Sequence, residues 1–151
     1  MNDGNNGPQA SINMIDEPEA VGKVNMIYDE IKEKLDIDFV PNMYKLMAVN
    51  PEYLESNWNK IKTVMGEDGR LGGKTKDIVA LTVSIMSGCD YCIGVYNETV
   101  KSSGLDDAAL LELYEVIDLY TGLNRLNIGM GTQPDEKPWH GCGGARSDRG
   151  L

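Results

Sequence analysis

Apolar residues recur every three or four positions through most of the chain, and the interruptions fall on glycine, proline and short polar residues. That rhythm predicts helices almost throughout. Asp16 can cap a first helix with Pro18 in its first turn, and Val24, Ile27, Ile31 and Leu35 share one face. Phe39-Val40-Pro41-Asn42 is a break whose proline starts a second helix, through Leu46 and Met47 to Asn50. Pro51 starts a third, with Leu54, Trp58, Ile61 and Met65 as its stripe and Gly66 as its end.

After the turn GEDGRLGG the pattern changes, because DIVALTVSIMS is apolar nearly all the way round, as expected of a central helix. Its β-branched run IVALTV also suits a buried strand, but the run continues to Met86 without a breaker and so favours helix. Ser87-Gly88 ends it. Cys89 then opens a helix that stops at Gly104, so the two form a hairpin with the cysteines at the junction. Asp106 or Asp107 caps a last long helix carrying Leu110, Tyr114, Ile117, Tyr120 and Leu123 on one side. The expected fold is all-α: a single-domain helical bundle over residues 15–130, between a flexible segment 1–14 and a flexible tail 131–151 rich in glycine and proline.

At 151 residues the chain is long enough to bury a core without disulfide staples. A formal net charge of -10 argues against nucleic-acid or anionic-membrane partners, which demand a basic face. Three cysteines are an odd number, so a fully paired secreted framework is not expected. With no basic, apolar leader at the start and no run of about 18 apolar residues, the expected location is cytoplasmic.

Cys89-Asp90-Tyr91-Cys92 is the one motif whose spacing implies chemistry. A helix turns 100° per residue, which sets Cys89 and Cys92 about 60° apart and Tyr96 about 40° beyond. Amides at a helix start stabilise a thiolate and lower its pKa. Such a pair can attack a peroxide or disulfide and be resolved by its neighbour, or it can chelate a soft metal. Asp77, twelve residues before Cys89, is the candidate proton acceptor, meeting the partner helix near Tyr96; the plainer reading is that it offsets the helix dipole.

LGGKTKDIVALTVSIMSGCDYCIGVYNETVKSSGL resembles the core motif of the alkylhydroperoxidase-D-like proteins, within the carboxymuconolactone decarboxylase superfamily. IDFVPN upstream and LNRLNIGMG downstream are similar to its peroxidase-related branch. The resemblance implies an all-α fold assembling into trimers or hexamers, and a thiol-dependent hydroperoxide reductase with no cofactor beyond an external dithiol reductant. It implies Cys92 as the peroxidatic thiol, Cys89 as its resolving partner, and Asp77 in the place of a family glutamate. Tyr96 stands where the family has histidine, and Tyr91 where some members carry a second one. A tyrosine donates hydrogen bonds but accepts a proton poorly near neutral pH. Disulfide exchange is therefore expected to survive, and peroxide turnover to be slow or directed elsewhere. The alternative is a non-enzymatic oligomeric sensing or binding module whose dithiol reports redox state.

His140 and Cys142 in the tail allow two further readings: a fold-back base, or a zinc site of Cys89, Cys92, His140 and Cys142. A solvated tail is the plainer expectation, and Trp139 could dock on a neighbouring chain. The eight methionines read as packing and Arg125 as a structural ion-pair partner.

Overall fold

The computed structural model describes residues 10–66, 69–137, 139 and 141. Backbone proximity divides the chain into two compact units, residues 1–66 and 67–151, and the described parts of both are helical without strands. His140 and Cys142 lie outside the described residues.

In the first unit, the expected opening helix is split. Asp16 and Pro18 make only a 3-10 turn, Glu17–Glu19, and the chain then extends through Val21 before α1, Gly22–Leu35. Gly22 sits at φ +55, a conformation that a glycine adopts without strain and that breaks the continuity of the helix. α2 spans Asn42–Met47 and α3 spans Pro51–Met65. Asn50 caps α3 by accepting the N–H groups of Glu52 and Tyr53 at 3.1 Å each, while Pro51 supplies the pre-set first turn. The predicted stripes meet in one core of Val24, Ile27, Tyr28 and Ile31 from α1, Tyr44 from α2 and Leu54 and Trp58 from α3. Leu35, at the end of its stripe, is exposed. Two polar clamps close this unit. Glu17 accepts from the Val40 backbone at 2.9 Å and from Lys32 at 3.1 Å, and the Tyr28 hydroxyl donates to the Ile15 carbonyl at 2.8 Å. The Val40 N–H, helped by Lys32, holds the Glu17 carboxyl below its ordinary value.

The second unit contains α4, Gly73–Ser87, α5, Asp90–Ser102, and α6, Asp107–Met130. Asp106 caps α6 by accepting the Ala109 N–H at 2.8 Å. α4 and α5 pack along their lengths as an antiparallel hairpin, joined at one end by Gly88 and tied at the other by a bond from Ser103 to Asp77. Its core is Leu81, Val100, Leu105 and Leu110, flanked by Ile78, Ile85, Tyr96 and Tyr114. The apolar girth of α4 is only half used within one chain. Leu81 and Ser84 are buried, whereas Val79, Val83 and Met86 are exposed. α6 likewise buries Leu110 and exposes Leu111, Val116, Leu119, Tyr120, Leu126 and Ile128.

Candidate active site

The junction of α4 and α5 is built by one glycine. Gly88 takes the left-handed conformation, φ 66 and ψ 34, and its N–H bonds to the Ile85 carbonyl at 3.1 Å. The next N–H, that of Cys89, returns to the Ser84 carbonyl at 3.0 Å. These two bonds satisfy the last carbonyls of α4 and turn the chain sharply. Nothing lies within 4 Å of a Cβ added at Gly88, so the demand for glycine there is conformational and not steric.

Cys89 leaves this turn as the N-cap of α5. Its sulfur occupies the place where a serine or aspartate oxygen commonly sits and accepts the Cys92 N–H at 3.3 Å. Charge on Cys89 is thus favoured, first by the Cys92 thiol and then by the Cys92 N–H, against burial and the nearby Asp90, and its pKa falls below the ordinary thiol value. Cys92 moves the other way. Its hydrogen bond to Cys89, its own burial and the Cys89 charge push it up to about 11, with Ser84 opposing. Of the two thiols Cys89 is therefore the easier to ionise and Cys92 the harder. The resemblance assigns attack to Cys92; it is Cys89 that sits at the helix terminus, where its sulfur accepts the Cys92 N–H.

Tyr96, one turn beyond Cys92, is half-buried against the hairpin core. Burial first, then the charges of Asp77 and Cys92, raise its pKa, so its phenol stays a proton donor. Asp77 lies seven residues before Ser84, about 10.5 Å of helix. Its carboxylate accepts from Ser103 Oγ at 3.2 Å, at the far end of the hairpin, and bonds neither cysteine. Cys89 and Cys92 adjoin through the cap bond and Tyr96 follows Cys92 by one helical turn, while Asp77 reaches only Tyr96, through its field.

Two serines complete the arrangement. Ser84 is buried, 7% exposed, with its hydroxyl donating to the Ala80 carbonyl at 2.7 Å and its own carbonyl accepting the Cys89 N–H. Its spacing from Asp77, two helical turns on the same side of α4, was a readable signal. Ser103 carries none, since its role depends on how the hairpin closes. An open cleft of about 540 Å³, whose lining includes neither cysteine, is walled by Ile85 and Met86 of α4, Ile93 of α5 and Ile117, Asp118 and Arg125 of α6. Its walls are fixed by a bond from the Tyr114 hydroxyl to Asn97 at 2.6 Å and by one from Thr121 to the Met86 sulfur at 3.4 Å. Among the described residues no group of three or more His, Cys, Asp or Glu converges to hold a metal, and Arg125 makes no ion pair.

The helical fold is that of the alkylhydroperoxidase-D-like class. The model of the carboxymuconolactone decarboxylase family matches residues 51–130, and the chain belongs to that family. The crystal structure of the alkylhydroperoxidase AhpD core from Rhodospirillum rubrum superposes with a TM-score of 0.81 at 28% identity, covering 85% of this chain and 96% of that one. An (R)-2-haloacid dehalogenase from Pseudomonas putida is 29% identical over 71% of this chain and 35% of its own length. Sestrin-2 from Mus musculus is 24% identical over 63% of this chain and 20% of its own. The chain therefore spans about a third or less of these two relatives. Among the described residues no helix is long and apolar enough to cross a membrane.

Proposed function

We propose that the protein is a thiol-dependent oxidoreductase that reduces a hydroperoxide or a partner disulfide, with Cys89 as the attacking thiolate and Cys92 as the resolving thiol. The observation that supports this most is the Cys89 sulfur at the head of α5, receiving the N–H of Cys92 at 3.3 Å. Attack of the Cys89 thiolate on the distal oxygen of a hydroperoxide breaks the O–O bond and leaves a sulfenic acid and an alkoxide. The alkoxide takes the proton of Cys92, whose pKa of about 11 makes it a competent acid toward so basic a leaving group. The Cys92 thiolate then attacks the sulfenic sulfur, forming the Cys89–Cys92 disulfide and releasing hydroxide, and an external dithiol restores the pair. On this scheme the neighbouring thiol does what the absent histidine at position 96 would do. Asp77 acts indirectly, by keeping Tyr96 protonated as a hydrogen-bond donor. With a partner disulfide, the same attack gives a mixed disulfide that Cys92 resolves.

The uncovered apolar faces of α4 and α6 fit burial against further copies of the chain, so the working species in this proposal is a homo-oligomer. A reducing compartment such as the cytoplasm would keep the pair poised for turnover.

The test is peroxide or disulfide consumption by reduced protein supplied with a dithiol, followed against pH. The rate should rise through the lowered pKa of Cys89, where its thiolate forms, and fall again as Cys92 loses its proton near 11. Absence of consumption with any dithiol reductant would defeat the enzymatic reading. A pair that oxidises reversibly and stoichiometrically without turnover would favour the sensing module, to which the loss of a neutral-pH base at Tyr96 points.

A further inference from the structure

Tyr114, Asp118, Thr121 and Arg125 line the open cleft from one side of α6, since steps of four, three and four residues keep them on one helix face. Two of them are already engaged. The Tyr114 hydroxyl donates to Asn97 of α5 and the Thr121 hydroxyl to the Met86 sulfur of α4. The side chains of Asp118 and Arg125 are exposed and, among the described residues, make no hydrogen bond or ion pair. The two bonds also set the direction of α6, because Tyr114 meets the middle of α5 and Thr121 meets the end of α4 that leads into the turn. Arg125 follows Thr121 by about one helical turn, so it stands at the dithiol end of the cleft and Asp118 further back. The opposite walls run close to the same turn. Met86 precedes Cys89 by three residues, and the Ile93 N–H bonds to the Cys89 carbonyl at 2.8 Å.

We propose that this cleft binds the organic part of a hydroperoxide that carries a carboxylate, with Arg125 holding the carboxylate and Ile85, Ile93 and Ile117 the apolar body. The inference rests on the redox reading above and names the substrate class for it; the reaction at the sulfurs is the one already written. A guanidinium without a partner offers two parallel N–H groups that match a carboxylate, and three isoleucines beside it favour an apolar body over a purely polar anion. Asp118 fixes the orientation. Its charge repels the carboxylate from the other end of the same face, about 10.5 Å along the helix from Arg125. A volume of about 540 Å³ suits a small organic molecule.

The carboxylate para-isopropylbenzoate, which has no peroxide, reads the cleft without any chemistry. In a ligand-observed NMR titration of the intact reduced protein, its affinity should fall about fivefold in Arg125→Gln, the size of an ion pair at an exposed position. Asp118→Asn should tighten it. The neutral para-isopropylbenzamide should not distinguish wild type from Arg125→Gln. In turnover, the wild type should prefer para-carboxylated cumene hydroperoxide to cumene hydroperoxide in kcat/KM, and Arg125→Gln should lose that preference. No binding of the benzoate, binding indifferent to Arg125→Gln, or equal weakening of benzoate and amide would each overturn the site. A change of oligomeric state in Arg125→Gln with benzoate binding unchanged would assign the guanidinium to a second copy of the chain and overturn it as well. The two readings fail separately. Arg125-dependent binding in protein that consumes neither hydroperoxide keeps the carboxylate site and defeats the redox reading, whereas consumption of both without preference defeats the site alone.

Discussion

Cys89→Ser should lose thiol-dependent turnover by roughly a hundredfold or more, because the thiolate is the reacting species and the thiol left behind is largely protonated at neutral pH. The converse variant should behave differently. Cys92→Ser keeps the helix-terminal sulfur and the N–H that serves it, so it should attack once and stop. With a disulfide substrate it should accumulate as a mixed disulfide on Cys89, visible as a mass increase of one substrate thiol. Two variants that fail at the same stage would contradict this division of labour. If Cys89→Ser forms the stable adduct and Cys92→Ser reacts with nothing, attack belongs to Cys92, as the family resemblance implies.

The largest effect on stability is expected from Trp58→Ala. Trp58 is 2% exposed, meets Tyr44 edge-to-face with ring centroids 5.6 Å apart and carries the Lys62 ammonium 5.6 Å from its own centroid. Its removal opens a void beneath all three helices of the first unit, where Ile31 and Leu54 are fully buried. The cost should be about 3–5 kcal/mol, the range for deleting a buried aromatic side chain. Chemical denaturation followed by helical circular dichroism reads it directly. A loss under about 1 kcal/mol would mean that the core of this unit is not centred on Trp58.

Most helix boundaries were legible because the residues that stop or start helices do so by mechanisms visible in one dimension. Pro51, Gly66, Gly88, Gly104 and Asp106 each act within a few residues of their own position. The break at Val21-Gly22 was not, since the spacing of Val24, Ile27 and Ile31 extends naturally back to Pro18 and only the backbone at Gly22 departs from it. The reading of α4 as a central helix illustrates a different gap. Hydrophobicity all round states that both faces avoid water, but not whether this chain or another copy covers Val79, Val83 and Met86.

The candidate site divides along the same line. Spacing alone placed Cys89, Cys92 and Tyr96 on one side of a helix. It did not settle which sulfur is the easier to ionise, because that depends on a cap bond of 3.3 Å that only one of them accepts. Asp77 was expected to meet α5 near Tyr96, and its field does reach that phenol. Its hydrogen bond, however, goes to Ser103, whose position is set by the closure of the hairpin and not by any local pattern. Ser84 lies on an apolar helix, where a buried hydroxyl bonded back to Ala80 is a common local arrangement.

The central claim is that the reduced pair carries its charge on Cys89. Alkylation of the reduced protein with iodoacetamide across pH, resolved at each cysteine by peptide mass spectrometry, measures this most directly. Cys89 should be modified first at every pH, with a midpoint below the ordinary thiol value of about 8.5, while Cys92 stays protected until the pH nears 11. Modification of Cys92 first, or one shared midpoint for both sulfurs, would contradict the account.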